Sequence, residues 1–128
     1  MTTLYGIPNC DTVKKARAWL TAQGVGYTFH DFKKQGVPKD RLTAWCNAAG
    51  WEKLLNRQGT TWHKLDADVQ ARVIDSASAQ ALMLAHASVI KRPVVEWGSD
   101  DAASITAVSV GFDAAHWTEL AAQFKGKQ

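Results

Sequence analysis

Two cysteines, Cys10 and Cys46, are the residues of this chain best suited to covalent chemistry, and their settings differ. Cys10 stands between a strand-like segment and a helix-like one. The thiolate is the nucleophilic form of cysteine, and a helix N-terminus stabilises that anion through its unpaired N–H groups and its dipole. Lys14 lies four residues on and Arg17 seven, so helical periodicity sets both along the thiol's face. Asp11 opposes them locally. Most free cysteines are small buried hydrophobes, but the place of Cys10 at a helix start favours a working thiol. Cys46 lies in an apolar helical stripe beside Trp45, with no cation on that face, and reads as a core residue. The sharper reading makes it a resolving thiol, which requires its Cα within about 7 Å of that of Cys10. The two cysteines do not form a CxxC pair, and no His/Cys cluster has zinc spacing, so no metal site is expected.

Two arginines follow as candidates. Arg57 comes after the apolar stretch Trp51 to Leu55 and opens a polar loop, and Arg92-Pro93 directly precedes a strand. Each arginine is either an ordinary solvated cation or an anion clamp, since the planar guanidinium fork matches carboxylates and oxyanions. A cis bond at Pro93 would set the preceding backbone beside the thiol, although only about 5–6% of X–Pro bonds in folded proteins are cis. His30, His63, His86 and His116 are scattered without ligand or triad spacing and read as structural or exposed. The six tryptophans fall at helical or strand positions and mean core before they mean a base-stacking platform.

The elements that must hold these groups alternate in type. Thr2 to Ile7 reads as a buried strand, broken by Pro8 and Asn9. Asp11 to Gln23 has helical spacing, with Val13, Ala16, Trp19 and Leu20 as the apolar stripe, and Gly24 and Gly26 stop it. Tyr27 to Phe32 alternates as a second strand, parallel to the first in a βαβ unit. From Pro38 to about Val89 the pattern is helical. Pro38 suits the first helical position, and Leu42, Trp45, Cys46 and Ala49 repeat at helical spacing up to Gly50. Trp51 to Asn56 reads as a short helix and Arg57 to Thr61 as a loop. Asp66 or Asp68 is the expected cap of a segment through Ile74, and Ser76 or Ser78 that of a helix through Ala87. Val94 to Trp97 and Ser104 to Val110 read as a β-hairpin whose turn holds Gly98-Ser99-Asp100-Asp101. Asp113 caps a last helix with Ala114, Trp117, Ala121 and Phe124 on one face. The order βαβ, helices, ββα gives an α/β class chain: a thioredoxin-like fold with a helical insertion in the middle, at about residues 38–90 of a single domain spanning 1–128.

Composition narrows the function. At 128 residues the chain fits one domain, and 46% hydrophobic with 21% charged residues is globular rather than disordered. The net charge of +3 is mild and its cations are dispersed. That disfavours nucleic acid, which calls for a clustered basic footprint, and suits a few placed cations facing an anionic small substrate. No apolar run reaches membrane-spanning length, and Met1 leads almost directly into a strand without a leader pattern. The cytoplasm, where thiols stay reduced, is the expected compartment.

Four segments, GIPNCDTVKKARAWL, LLNRQGTTWHKL, VIKRPVV and the VGF before the last helix, resemble the glutaredoxin-coupled arsenate reductase (ArsC) family. They do so in the right order and at the right spacing, and the nearest branch is the YffB/Spx-like one. The resemblance implies a thioredoxin fold with a helical insertion and makes Cys10 the catalytic nucleophile. Arg57 and Arg92 take the positions of two family arginines near the nucleophile, and Pro93 that of the family's cis-proline. With Lys14 these residues would bind substrate or glutathione. Two departures sort the branches. The family's arsenate reductases carry a third arginine in the hairpin region, whereas Ser104 to Phe112 here holds neither Arg nor Lys. Spx regulators carry a second cysteine three residues after the first, and here that residue is Val13. The remaining branch, which this chain resembles, is that of the glutathione-dependent thiol reductases of YffB type. The resemblance implies no bound cofactor, glutathione as co-substrate with glutaredoxin as a further partner, and a small-molecule or protein disulfide as substrate. The alternatives are an Spx-like regulator that binds the RNA polymerase alpha subunit, and a true arsenate reductase.

Overall fold

The computed structural model describes residues 2–98 and 107–124. In chain order the elements are β1 (Thr2–Gly6), α1 (Asp11–Ala22), β2 (Tyr27–Asp31), α2 (Phe32–Gln35), α3 (Lys39–Ala49), α4 (Trp51–Leu54), α5 (Thr60–Lys64), α6 (Ala67–Ala71), α7 (Ser76–Ala85), a 3-10 turn at Ala87–Val89, β3 (Val94–Trp97), β4 (Ala107–Val110) and α8 (Ala114–Phe124). They divide into two compact units. One holds the chain up to Gln35 together with the chain from Arg92 on, and the other is Gly36–Lys91.

The first unit is a mixed sheet in the order β2-β1-β3-β4. β1 runs parallel to β2, pairing Leu4 with Phe29, and antiparallel to β3, pairing Leu4 with Val95 and Tyr5 with Val94. β3 and β4 are antiparallel, with Val94 opposite Val110. This is the α/β, thioredoxin-like arrangement that the order of elements implied. Alternation along the strands turns Leu4, Val95 and Trp97 to a core completed by Val13, Ala16 and Leu20 of α1 and by Trp117, Leu120 and Ala121 of α8. Trp117 is its hub. It meets Trp97 edge-on at 5.2 Å, Trp19 at 5.8 Å and Phe112 at 4.8 Å between ring centroids. Such edge-to-face pairs contribute about 0.5–1.5 kcal/mol each beyond the area they bury. The indole N–H of Trp97 is satisfied by Ser109 Oγ at 2.9 Å, so the largest core side chain of β3 leaves no orphan donor.

The second unit is helical. Leu42, Trp45 and Cys46 of α3 are buried at the expected spacing, as are Leu54, Leu55, Ala79, Leu82, Met83, Val89 and Ile90. Leu55 and Ile90 form an isolated antiparallel bridge, flanked by Asn56 N–H to Val89 O and Lys91 N–H to Leu54 O, both 2.7 Å.

Several boundaries differ from the sequence reading. Pro38 is the N-cap of α3, with extended backbone at ψ 113°, rather than its first residue. The helix expected over Trp51 to Asn56 stops at Leu54: Leu55 N–H closes the last helical bond to Trp51 O, and then the Leu54 carbonyl and the Asn56 N–H are taken by Lys91 and Val89 at the bridge. The expected loop at Arg57 to Thr61 gives way at Thr60 to α5, a single turn with no buried residue and hence no apolar period to betray it. The helix expected through Ile74 has Asp66 at its N-cap position, without a side-chain capping hydrogen bond, and ends at Ala71. The cap of α7 is neither serine. Asp75 accepts from the N–H of Ser78, while Ser78 Oγ accepts from the N–H of Asp75, which is a reciprocal capping box. In α8 the Asp113 cap is as expected, taking the N–H groups of Ala115 and His116. There Leu120 rather than Ala114 joins Trp117 and Ala121 inside. The hairpin turn from Ser99 on, the strand residues Ser104 to Thr106 and the side chain of Phe124 lie outside the described residues.

Candidate functional site

Cys10 is the N-cap of α1. Its backbone is extended at φ −135°, ψ 123°, and its carbonyl accepts the first helical hydrogen bond from Lys14 N–H at 2.9 Å. Pro8 and Asn9 before it are exposed, and the thiol itself is half-buried against the edge of the core. Partial burial on its own pushes the Cys10 thiol up. The backbone N–H of Val13, the Arg92 guanidinium by hydrogen bond and by charge, and the N–H of Thr12 together outweigh that, and the thiol lies below its ordinary value. The helix end thus acts on the sulfur through the backbone N–H groups of its first turn.

Strand register brings Arg92 to this sulfur. β1 and β3 are antiparallel with Tyr5 opposite Val94, so the chain leaving β1 toward Cys10 and the chain entering β3 through Arg92 and Pro93 end on the same edge of the sheet. The Arg92–Pro93 peptide is cis. Pro93 is buried, and its carbonyl accepts from Gly111 N–H at 2.9 Å, which ties the entry of β3 to the exit of β4. Arg92 is half-buried. A guanidinium in that setting keeps its charge, and limited solvent access strengthens its pull on the thiolate.

The other cations have settings of their own. Lys14 is exposed on α1. Arg17 does not follow the thiol's face. Its Nε donates to Tyr27 Oη at 3.0 Å, and its guanidinium carbon sits 4.1 Å from the centroid of the Phe29 ring, so it braces α1 against β2. Arg57 belongs to the helical unit. It is exposed there, with its guanidinium carbon 5.6 Å from the Trp51 ring and 5.8 Å from the Trp62 ring. Two aromatic faces restrict the fork without using its N–H groups, which stay open to an anion. Cys46 has the opposite setting to Cys10: burial raises its thiol, partly offset by the Ser76 hydroxyl, and its side chain is 6% exposed.

The sequence reading missed the Thr12 and Val13 N–H groups and the two tryptophans around Arg57. By its spacing Val13 reads as an apolar stripe residue, which says nothing of its N–H. Counting backbone donors from Cys10 as N-cap would have identified both amides. Nothing in the local sequence marks Trp51 and Trp62 as partners of one arginine. Among the described residues no group of three or more His, Cys, Asp or Glu could hold a metal ion, and no helix is long and apolar enough to cross a membrane.

The model of the ArsC family matches residues 5–120. A solved structure of a protein named YffB is similar at 44% identity, with 94% of this chain and 98% of that one covered and a TM-score of 0.84. An arsenate reductase (ArsC) related protein from Brucella melitensis is 47% identical, with 92% of each chain covered and a TM-score of 0.69. The global transcriptional regulator Spx of Streptococcus pyogenes is 28% identical over 97 residues, which are 74% of this chain and 71% of that protein.

Proposed function

This chain belongs to the ArsC family, and we propose that within it the chain is a glutathione-dependent thiol/disulfide reductase that works through one cysteine thiolate, Cys10. The observation that carries this reading is the convergence of the Arg92 guanidinium and the first amides of α1 on a half-exposed sulfur whose pKa they lower. A thiol so placed is ionised to a larger extent at neutral pH and open to a substrate, which is what thiol exchange needs.

The reaction balances with one protein thiol. The Cys10 thiolate attacks the glutathione sulfur of a mixed disulfide, R–S–S–glutathione. The Cys10–glutathione disulfide forms, the original S–S bond breaks, and the substrate leaves as its thiolate and takes a proton. A second glutathione, as thiolate, attacks the Cys10-bound glutathione sulfur, frees the Cys10 thiolate and departs as glutathione disulfide. Arg92 holds Cys10 as an anion when it attacks and again when it leaves. Arg57, Lys14 and Arg92 offer cations to the carboxylates of glutathione, and Pro93 shapes the backbone beside the sulfur. Glutaredoxin is the further partner, no metal or bound cofactor takes part, and the cytoplasm is the compartment.

The relative named as a transcriptional regulator supplies the second reading, an interaction protein. Against it stands Val13, a fully buried core residue where a second, switching thiol would have to sit. Mass spectrometry after incubation with glutathione disulfide tests the enzyme reading: Cys10 should gain one glutathione and Cys46 none. No adduct on Cys10 would sink it.

A further inference from the structure

β1 ends in a glycine, although glycine weakens a strand and needs a reason to be there. Backbone conformation is not the reason, since Gly6 is not among the glycines of positive φ. Space is. A Cβ at Gly6 would lie 2.8 Å from Cγ2 of Val13, 3.4 Å from its Cγ1 and 3.7 Å from its Cβ. Carbon atoms rest at about 3.5–4.0 Å, so the first of these is a clash. Val13 has no easy way out of it. Its branched side chain keeps one strongly preferred rotamer in a helix, and it is fully buried in the core that also holds Leu4, Ala16 and Val95. Relief must come from moving the first turn of α1 away from β1.

That turn carries the donors of the site. The Val13 side chain meets Gly6 while the Val13 N–H faces the Cys10 sulfur. We propose that Gly6 is a positioning residue for Cys10: its missing Cβ lets the first turn of α1 close onto the end of β1, which holds the Thr12 and Val13 amides at the sulfur. The inference rests on the reading of Cys10 as the nucleophile and adds the group that sets its surroundings from the opposite side of the helix.

The test is a series in the Cys46→Ala background, read by thiolate absorbance against pH and by circular dichroism. Gly6→Ala should shift the Cys10 titration upward and slow its reaction with iodoacetamide at neutral pH by about two- to fivefold, the range such helix-end interactions span. Gly6→Ala/Val13→Ala removes both Val13 methyls and leaves only a Cβ contact of ordinary length, so it should return the titration toward the parent. A folded Gly6→Ala that titrates like the parent, or a shift that the double variant does not reverse, overturns the proposal. If Gly6→Ala alone does not fold, recovery of fold and thiol acidity in the double variant supports the proposal, and failure to recover either overturns it. These readouts involve no turnover. A chain that fails to take up glutathione while keeping this titration series would lose the reductase reading and keep the role of Gly6.

Discussion

The Arg92 guanidinium hydrogen-bonds the Cys10 sulfur across 82 positions of sequence, and the antiparallel pairing of Tyr5 with Val94 makes the meeting possible. A one-residue slip of β3 against β1 would invert every side chain of β3 between the two faces of the sheet. Val95 and Trp97, both fully buried, would leave the core. Core packing therefore fixes the register, and the register fixes which cation faces the thiol.

Cys10 should be the more acidic of the two thiols. In Cys46→Ala, thiolate absorbance should rise at a pH below the free-cysteine value of about 8.5, and Arg92→Ala should move that rise upward. A lowered pKa in the folded chain means that folding favours the thiolate. Its contribution to stability is present above the unfolded pKa and fades as the pH falls through the folded one. Identical titrations with and without Arg92 would leave the helix end as the only source of acidity.

The two cysteines should separate cleanly on substitution. Cys10→Ser should abolish glutathione uptake and any disulfide reduction. Cys46→Ser should keep both, because the Cys46 thiol is buried and desolvation raises its pKa. Turnover assays on the two variants decide the matter, and a Cys46→Ser enzyme without activity would make Cys46 a resolving thiol and end the one-thiol mechanism.

What could be read in advance follows a physical line. The βαβ start, the position of Cys10 between strand and helix, and the Trp117 face of α8 come from local periodicity and capping, which a sequence displays. The Leu55–Ile90 bridge depends on backbone groups finding distant partners, which periodicity does not encode. The single-turn helix at Thr60–Lys64 buries no residue and so shows no apolar period. At α7 the aspartate before two serines is the cap, a choice among neighbouring side chains that residue type alone leaves open. Arg17 shows the same limit. Helical spacing aligned it with Cys10, yet its length and the nearby rings of Tyr27 and Phe29 drew it to β2.

Arg57→Ala and Arg92→Ala should weaken the use of an anionic thiol more than they weaken folding. A charge-assisted hydrogen bond contributes about 1.5–3 kcal/mol when well paired, so the KM for glutathione should rise about tenfold or more in each. Arg92→Ala should also change the thiol titration, because Arg92 is among the groups that act on Cys10. Steady-state kinetics beside melting curves separate the effects. Unchanged kinetics with both arginines removed would return them to ordinary surface cations.

Arsenate should be a poor substrate or none, despite the family name. Arsenate is a compact anion with oxygens to satisfy on several sides, and thiolate attack brings a second negative charge to it. Fixed cations must offset that repulsion as charge builds. The arsenate reductases this chain resembles supply three arginines, whereas here Arg57 and Arg92 have only Lys14 to join them, with no Arg or Lys between Ser104 and Phe112. Lysine is a compact point charge without the bidentate fork, so it replaces a third arginine imperfectly. A disulfide is neutral at the reacting sulfur and needs no such cage. Lys91, exposed and next to Arg92, is the one neighbouring cation in sequence that could fill the gap, and Lys91→Ala tests it directly. Coupled assays with glutathione and glutaredoxin should therefore show disulfide reduction far ahead of arsenate reduction. Val110 pairs with Val94, the residue after the cis-proline, so Val110→Arg places a guanidinium in the arginine-free stretch and should raise arsenate turnover. Arsenate turnover in the parent as efficient as disulfide reduction would overturn the charge argument and make the chain an arsenate reductase in fact.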